Sequence, residues 1–365
     1  MPTAIFSTMG TSMLTNGADE NLRKMLIRTA NLRVDQLATE DRDRIGDRRT
    51  DIEALLSQAS EQDVRGQSAE LNGLLALGPI RGADRHYLLY TDTLQGEACA
   101  CLAAGWLRQA GGVPIPVKLE HLTVASPEAF AHGVDSLLRE IDKLVNEERA
   151  RESRVVFSLV GGFKALHAYA HTIGMFYADE ISYLFEGPGA RLIRIPRLPI
   201  RVDEGSLQAH AAAVARMAQG EIIASGELEG VPETYLSVDD NGDATLSDWG
   251  LLLWLQRRRD LLSDKPLDQP GLLHLDSFRR DYENEKNPDR RVALQEALAK
   301  ASVLWRSGGL KDLRRDGGLL YEDYANQDAV GHFRISQDIR VSCRPGGSIL
   351  ELRHYGAHDY VNDKP

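Results

Sequence analysis

Cysteine is scarce in this chain of 365 residues, which has only Cys99, Cys101 and Cys343. An odd, widely spaced set with no paired CxxC motif and no histidine cluster argues against a disulfide framework and against a structural zinc site. We therefore expect reduced thiols, no metal site and no bound cofactor.

Long apolar runs are also absent. Runs such as Val155 to Val160 fall far short of the ~18–20 residues that a membrane helix requires. The start of the chain, MPTAIFSTMGTSM, has no basic region followed by a sustained apolar stretch, as a secretory signal has. We expect a cytoplasmic protein with no membrane partner.

The net charge of −11 is unevenly distributed along the chain. Overall acidity weighs against a nucleic-acid partner, but residues 265–365 carry 16 basic and 16 acidic side chains, so the acidic excess lies before them. Basic residues group within 306–315 and 334–353. This last part of the chain can therefore meet a polyanion locally.

The first two hundred residues alternate short apolar runs with segments of helical periodicity. Strands are predicted at 3–7, 86–91, 113–119, 155–160 and 181–185. The clearest helix is predicted over 126–148, where apolar residues form one stripe. Strand, helix, strand in repetition predicts an α/β fold, a Rossmann-like parallel sheet with helices on its faces. Residues 32–85 are predicted as an excursion from this sheet, with at least one helix near 52–60.

Prolines and turn formers predict three domains. The stretch RLIRIPRLPIRV at 191–202 is predicted to be extended and to end the sheet domain, residues 1–203. A helix at 206–219, a hairpin around Asp239-Asp240-Asn241-Gly242 and an apolar helix from Ser247 predict a winged-helix-like connector, residues 204–264. Residues 265–365 follow as an α+β domain with two helices, a basic loop GGLKDLRRDGG and three final strands.

Glycines and small hydroxyl residues follow three predicted strands, in STMGTS, in YTDTLQGE and in GGFK. Ligands of parallel sheets bind at the carboxyl ends of strands, so these turns predict a nucleotide-like ligand. Glycines are also found at such positions simply because they permit a tight turn, without any ligand. Neither GxGxxG nor GxxxxGK[ST] is present, which disfavours an NAD or ATP enzyme. The absence of both motifs weakens the hypothesis of a metabolic enzyme that binds a nucleotide, which remains a third alternative.

These motifs, together with VVFSLVGGFKALHAYAHTIGMFYADEISYLFEG, resemble those of CRISPR-associated Rossmann-fold (CARF) sensor domains over about residues 1–200. The resemblance implies a homodimer that holds one cyclic oligoadenylate across its twofold axis, and we expect cyclic tetra-adenylate. It also implies the following ligand contacts: Gly10, Thr11, Ser12, Thr93, Gly161, Gly162, Phe163 and Lys164. Lys164 would supply a point charge to a phosphate that the glycine amides cradle.

The stretch GHFRISQDIRVSCRPGGSILELRHYGAHDYV, after a helical hairpin, resembles the RelE family of mRNA interferases over about residues 272–361. The resemblance implies cleavage of mRNA on the ribosome. This chain departs from the pattern at His358, which stands where relatives often place arginine.

The residues of this segment also suit RNA cleavage without metal. Arg340 and Arg334 can stabilise the charged transition state, and His358 or His354 can exchange protons near neutral pH. Tyr360 can stack on a base or donate its hydroxyl proton, and Lys311 in the basic loop can hold the RNA backbone.

Together the segments look like a CARF–RelE fusion, a CRISPR-associated mRNA interferase. We expect a homodimeric, allosterically activated endoribonuclease whose partners are cyclic oligoadenylate, mRNA and the ribosome. The alternative is a transcription regulator, gated by the same ligand, that binds DNA through the winged-helix-like connector.

Overall fold

The structure, a computed structural model, describes residues 1–123, 126–162, 164–185, 191–200, 204–325 and 329–364. Within these ranges no helix has the length and apolar character needed to cross a bilayer. The chain divides into two compact units, Met1–Arg201 and Val202–Pro365.

The first unit is built from six strands and eight α-helices among its described residues. In chain order they are β1 (Thr3–Thr8), α1 (Ser12–Thr15), α2 (Glu20–Thr29), α3 (Thr39–Gln58), α4 (Glu61–Gln67), α5 (Ala69–Leu77), β2 (Arg85–Thr91), α6 (Leu94–Gln109), β3 (Val113–Leu119), α7 (Pro127–Ala150), β4 (Arg154–Ser158), α8 (Lys164–Tyr177), β5 (Glu180–Phe185) and β6 (Arg191–Pro196).

The strands form one sheet in the order β3-β2-β1-β4-β5-β6. The first five are parallel, as the sequence predicts, and Phe6 lies between Tyr87 and Phe157 in the register. The segment predicted to be extended from 191 is extended, and its residues Arg191–Pro196 also join the sheet as the antiparallel edge strand β6. Its two arginines, its proline and its largely exposed side chains are typical of an edge strand, which has one side open to solvent. The order reverses between β1 and β4, so this is the switch point of the sheet.

Alternate side chains of the central strands enter two different apolar layers. On one face Phe6 stacks on Tyr87 with ring centroids 4.6 Å apart, and the Tyr87 hydroxyl reaches Glu148 of α7. On the other face Ile5 and its strand neighbours meet the helices that include α3, α5 and α6. Burial on both faces explains why these strands are short, continuously apolar runs.

The excursion between β1 and β2 contains the helix predicted near 52–60 and others besides. The predicted helix is the end of α3, which runs through residue 58, and two short helices, α4 and α5, follow it. Ser60 caps α4 and Ser68 caps α5 through their hydroxyl oxygens. These two caps allow the chain to turn twice within ten residues, so that α5 returns to the sheet beside β4 and β5.

The second unit contains two small sheets. Its helices and strands are α9 (Glu204–Ala209), α10 (Ala211–Met217), β7 (Ile223–Ala224), β8 (Leu236–Val238), β9 (Asp243–Leu246), α11 (Asp248–Leu262), β10 (Leu272–His274), α12 (Asp276–Asn284), α13 (Pro288–Gly308), α14 (Leu310–Arg315), β11 (Glu322–Asp323), β12 (Gly331–Arg334), β13 (Ile339–Gly346), β14 (Ile349–Ala357) and α15 (His358–Asp363). The predicted single helix at 206–219 is instead two, divided at His210.

The connector segment packs against α13 through both of its longer helices. The buried Arg216 of α10 binds Glu221 and also donates to Gln269 over 3.1 Å, while Arg306 of α13 binds the same Glu221. In α11, Trp254 is 2% exposed and Arg258 pairs with Glu296 of α13. The apolar face of α11 is therefore buried within this unit.

The C-terminal sheet has the order β10-β14-β13-β12-β11. One of its faces places Phe333, Val341 and Tyr355 in a core with Phe278 and Leu298 from α12 and α13. The strand register therefore places the alternate residues, which are largely polar, on the opposite face.

Candidate functional sites

Two glycine turns meet at the switch point of the first sheet, one after β1 and one after β4. A Cβ atom on Gly10 would lie 2.7 Å from the Gly162 amide nitrogen, closer than such atoms approach one another. The sequence predicts that these turns share one edge of the sheet, and the structure brings them into direct contact. Glycine is required at position 10 because the two backbones are packed together.

A buried carboxylate, Glu70 of α5, fills the space beside these turns. It accepts a hydrogen bond from the Gly10 amide at 2.8 Å, one from the Ser12 hydroxyl at 3.0 Å and one from the Ser68 hydroxyl at 2.8 Å. Its side chain belongs to a residue that is 2% exposed, in the first turn of α5, where a negative charge is favoured. The Gly10 amide and Ser12 hydroxyl are thus already engaged by an anionic group of the protein.

The Gly161 carbonyl is the second organising group at this point. It accepts hydrogen bonds from the Thr8 hydroxyl and, at 2.6 Å, from Nε2 of His167 in α8. A Cβ on Gly161 would overlap Glu70, lying 2.0 Å from Oε1. Together, the following residues are called the switch-point cluster: Thr8, Gly10, Ser12, Glu70, Gly161 and His167.

The remaining predicted ligand residues lie at different positions around the sheet. Thr11 precedes α1, and Lys164 is exposed at the first residue of α8. Thr93 is only 4% exposed. Its hydroxyl oxygen caps α6, accepting a hydrogen bond from the Gly96 amide at 3.1 Å. Gly162 has a positive φ of 115°, which favours glycine. Phe163 lies outside the described residues.

The C-terminal sheet presents its polar face in two rows. Arg334 pairs with Arg340 and Arg340 with Gly356, while His332 pairs with Ser342 and Ser342 with His354. We call the five side chains of these rows, His332, Arg334, Arg340, Ser342 and His354, the polar face. Register alone thus places both predicted arginines and one predicted histidine on one surface.

The C-terminal helix covers part of this polar face. Helix α15 packs against β13 and β14, and a Cβ on Gly356 would lie 2.9 Å from the Tyr360 ring. The Tyr324 ring stacks on His332, and its hydroxyl donates to Asn362 of α15 at 3.0 Å. Because Gly356 has no side chain, Tyr360 can lie directly on strand β14.

Tyr360 and His354 are joined by a carboxylate that the sequence does not reveal, Asp281 of α12. His354 Nδ1 lies 2.9 Å from Asp281 Oδ2, and the Tyr360 hydroxyl donates to Oδ1 at 2.7 Å. The Tyr355 amide donates to the same Oδ2 at 3.1 Å, which fixes the carboxylate against the edge of β14. We call Asp281, His354 and Tyr360 the tail cluster.

The electrostatics of the tail cluster favour protonated tyrosine. The hydrogen bond to Asp281, followed by partial burial, raises the pKa of Tyr360 to about 12. A histidine whose Nδ1 is held by a carboxylate is fixed in orientation and can exchange protons through Nε2. The arrangement therefore provides an oriented imidazole next to a phenol that keeps its proton.

Arg340 is held by the backbone of its own loop. Its Nη1 donates to the carbonyl oxygens of Ser336, Gln337 and Ile339 at 2.7, 2.9 and 3.1 Å. The residue is 7% exposed, and burial followed by the charge of Arg334 lowers the pKa of its guanidinium. The guanidinium thus closes the turn between β12 and β13 in addition to lying on the polar face.

The structure does not bring every predicted catalytic residue into the tail cluster. His358 is exposed at the start of α15, where its Nδ1 lies 3.0 Å from Asp359 Oδ1. Lys311 is exposed on α14, and no hydrogen bond or ion pair among the described residues links it to the tail cluster. Of the two predicted histidines, His354 is therefore the one that contacts Tyr360 and Asp281.

Three residues of these sites carry no distinctive sequence signal. Glu70 and Asp281 lie in helices distant in sequence from their partners, 60 residues from Gly10 and 79 from Tyr360. His167 has one weak sequence signal: it stands in the stretch GGFKALH, near the start of a predicted helix that follows two glycines. Long-range contacts of this kind follow from the packing of whole helices on the sheets.

Comparison with known proteins gives a partial assignment. Residues 65–198 match the model of a family described as CRISPR-associated protein (Cas_APE2256). The matched segment covers just over a third of the chain and includes Glu70, Gly161 and His167. This part of the protein is thus similar to CRISPR-associated proteins. A search of curated proteins found no significant match.

Proposed function

We propose that this protein is a ribosome-dependent mRNA endonuclease, activated by a cyclic oligoadenylate, that arrests translation in type III CRISPR antiviral defence. The proposal rests on one observation: a single chain contains two candidate sites of different chemical character. Glu70, Gly161 and His167 of the switch-point cluster lie in a segment similar to CRISPR-associated proteins. A cluster of acid–base groups lies beside the polar face of the second unit.

The sensor part of the proposal rests on the switch-point cluster and Lys164. A ring of adenylates presents phosphates, ribose hydroxyls and adenine amino groups. Lys164 is exposed at the start of α8, and in this proposal its ammonium group binds a phosphate, which the helix dipole also favours there. Since Glu70 already occupies the Gly10 amide, its role in this proposal is to hold the first glycine turn in position, and a phosphate would bind nearer to Gly162 and Lys164.

The nuclease part rests on the tail cluster. RNA cleavage begins when a base removes the proton of a ribose 2′-hydroxyl; the oxygen then bonds to the adjacent phosphorus, and the bond to the 5′-oxygen breaks. A proton donor must protonate the departing oxygen, which leaves a cyclic phosphate and a 5′-hydroxyl. His354, oriented by Asp281, serves as the proton-exchanging group: it takes the proton of the 2′-hydroxyl and returns it to the departing 5′-oxygen. The Tyr360 ring serves as a stacking platform, because its one hydroxyl proton is held by Asp281. Arg334 and Arg340 stabilise the extra negative charge.

Regulation in this proposal is a shift between two arrangements of a homodimer, driven by different affinities of the ligand for each. The position of α15 over β13 and β14 is consistent with a covered nuclease surface. Tyr324 and Asn362 connect this helix to the polar face. RNA would gain access to the polar face when the contact of Tyr324 with Asn362 opens while the hydrogen bond from Tyr360 to Asp281 remains.

Cleavage of translated mRNA tests the proposal. A purified translation reaction would receive the protein with and without cyclic tetra-adenylate, and the cut mRNA would be quantified by primer extension. We expect cleavage only with ligand, loss of cleavage in His354→Ala, and retention in the matched variant His358→Ala, whose imidazole is exposed outside the tail cluster. Equal cleavage of free RNA, or no cleavage with ribosomes and ligand, would refute the ribosome-dependent mechanism.

Ligand binding is tested separately by thermal unfolding with cyclic tetra-adenylate and cyclic hexa-adenylate. A ligand that binds only the native protein raises the melting temperature. We expect the tetra-adenylate to raise it and Lys164→Ala to weaken the effect, with Arg139→Ala, which removes an exposed arginine of α7, as the control. No shift with either ring would contradict the sensor assignment.

The alternative is a DNA-binding regulator that uses the connector. The contacts of α11 weigh against it, since Trp254 is buried and Arg258 and Arg259 pair with Glu296 and Asp289 of the second unit. A helix that reads DNA needs an exposed face rich in free polar groups. A gel shift that responds to cyclic oligoadenylate would favour this alternative.

A further inference from the structure

Strand β14 carries one residue more than β13 at the point where it reaches the tail cluster. The consecutive residues Ser342 and Cys343 of β13 pair with His354 and Leu352 of β14. Arg353 stands between the two partners and has no residue opposite it, which defines a β-bulge. The Ser342 hydroxyl accepts the His354 amide at 3.2 Å at this point. Bulges are frequent next to active sites, where they redirect a side chain.

The backbone of the bulge is held by the segment that begins α12. The carbonyl of Leu352 accepts from the Leu275 amide at 3.1 Å, and the carbonyl of Arg353 accepts from the Ser277 hydroxyl at 2.5 Å. In a regular strand, consecutive carbonyls point to opposite sides, whereas here both are bound by the same neighbouring segment. The bulge is therefore a fixed part of the fold.

The bulge places two consecutive side chains on the same face of the sheet. Leu352 and Tyr355 lie in the core on the other face and are 0% and 3% exposed. Because one extra residue lies between them, Arg353 and His354 both lie on the side of the polar face. Without the bulge, strict alternation from Leu352 would turn His354 into the core.

The guanidinium of Arg353 has no partner in the described part of the chain. The residue is half-buried, and no hydrogen bond or ion pair joins its side chain to another described residue. Two other arginines of this sheet are engaged, since Arg340 binds three loop carbonyls and Arg344 pairs with Glu351 over 2.7 Å. Arg353 thus offers a free guanidinium at the position next to His354.

We propose that Arg353 is a catalytic residue that binds the scissile phosphate, an inference that rests on the proposed nuclease function. Its guanidinium donates two parallel N–H bonds to the nonbridging phosphate oxygens. The negative charge on these oxygens increases as the ribose 2′-oxygen bonds to phosphorus and before the 5′-oxygen departs, so these contacts strengthen in the transition state. Arg353 transfers no proton, because His354 moves the proton from the 2′-hydroxyl to the departing 5′-oxygen.

Cleavage rates in the translation reaction with cyclic tetra-adenylate test this role. Arg353→Ala should cut translated mRNA about a hundredfold more slowly, the loss expected when one donor to a developing oxyanion is removed. Arg353→Lys keeps the charge but not the paired donors, and should recover part of the rate. The control Arg344→Ala removes an arginine of the same sheet that Glu351 already neutralises, and should cut at the wild-type rate.

Two further measurements separate this role from proton exchange and from a structural role. The residual activity of Arg353→Ala should keep the wild-type pH profile, because His354 still exchanges the proton. Its melting temperature should equal that of the wild type, because the side chain has no partner to lose. An unchanged cleavage rate, or a slower rate together with a lower melting temperature, overturns the proposal.

Binding of an uncleavable RNA distinguishes failure of this proposal from failure of the nuclease function. The probe is a labelled RNA with 2′-O-methyl groups, measured by fluorescence anisotropy with cyclic tetra-adenylate at several salt concentrations. In Arg353→Ala the slope of log affinity against log salt should decrease by about 0.7, as expected for one lost phosphate contact, and in Arg344→Ala it should not change. Binding that depends on Arg353 without mRNA cleavage would confirm the phosphate contact and refute the nuclease. Cleavage by the wild type and by Arg353→Ala at equal rates would refute the role of Arg353 alone.

Discussion

Tyr360 donates a hydrogen bond to Asp281 over 2.7 Å, although 79 positions separate the two residues. Nδ1 of His354 lies 2.9 Å from the other oxygen of the same carboxylate. One side chain of α12 thus fixes both the last strand and the last helix of the chain. If this cluster cleaves RNA, Asp281 is its positioning residue and the other two contact the substrate.

Replacement of this carboxylate changes the acidity of the tyrosine. In Asp281→Asn the negative acceptor is lost, so the pKa of Tyr360 should fall from about 12 towards the ordinary value of about 10. RNA cleavage should decrease by about a hundredfold, since the imidazole loses its orientation. Tyrosine titration followed by NMR measures the first effect and primer extension the second.

The same titration contains its own control. Burial, more than any hydrogen bond, raises the pKa of Tyr324 to about 12, so this value should stay unchanged in Asp281→Asn. A Tyr360 pKa that also remains near 12 in the variant would show that Asp281 does not control it.

The two arginines of the polar face should respond differently to truncation. Arg340→Leu removes three hydrogen bonds to loop carbonyls and should destabilise the second unit by about 2–3 kcal/mol. Arg334→Leu should cost less than about 1 kcal/mol, because its side chain is only partly buried and its Nε has no partner in the described part of the chain.

Both variants should reduce cleavage in the proposed mechanism, so stability is the measurement that separates them. Amide hydrogen exchange of the β12–β13 turn reports it locally. Equal protection in the two variants would show that the carbonyl contacts of Arg340 do not stabilise the loop.

The glycine at position 161 should not tolerate even a methyl group. In Gly161→Ala the new Cβ would lie 2.0 Å from Glu70 Oε1, so the buried carboxylate must move and its bond to the Gly10 amide is lost. We expect a destabilisation of about 2–4 kcal/mol and loss of the proposed ligand binding.

A matched glycine gives the opposite expectation. Gly46 lies within helix α3, and a Cβ there meets no atom within 4 Å. Gly46→Ala should stabilise the protein by about 1 kcal/mol because alanine has the higher helix propensity. Thermal unfolding measures both, and a melting temperature unchanged in Gly161→Ala would contradict the close packing of the two turns.

The parallel sheet could be predicted because its central strands are buried on both faces and appear as continuous apolar runs. Strand β3 is predicted at its true ends, and α7 within two residues of its ends. Strand β6 was expected only as an extended segment, because its pairing with β5 depends on tertiary contacts and not on composition.

The sites were predictable where a local motif marks them. The glycine turns after β1 and β4 stand at strand ends, where Gly10 lies against Gly162, whereas Glu70 enters from a helix about sixty residues away. Similarly, Tyr360 and His354 are close in sequence, but the Asp281 carboxylate that joins them lies in another helix. Periodicity gives the buried face of a helix and does not show which polar residue will lie at its edge.

A buried ion pair in the first unit predicts how its stability depends on pH. The Glu148 side chain is fully buried, and burial alone would raise its pKa. Hydrogen bonds from Arg85, Tyr87, Ser153 and Arg151 outweigh this effect and lower the pKa to about 2. Because the folded value lies below the unfolded one of about 4.5, the stabilisation is complete above that pH and is lost as the pH falls towards 2.

Glu148→Gln should remove this part of the pH dependence and leave Arg85 without its anionic partner. At neutral pH the variant should lose about 3 kcal/mol, as expected when one member of a buried pair is removed. Hydrogen exchange at β1 and β2, measured at about pH 7 and pH 3, reports on this unit separately from the other. The matched variant is Glu147→Gln, whose carboxylate is 45% exposed and lies 4.0 Å from Arg151, and it should cost less than about 1 kcal/mol. If Glu147→Gln and Glu148→Gln were equally stable at neutral pH, the buried pair would not be what holds α7 against β2.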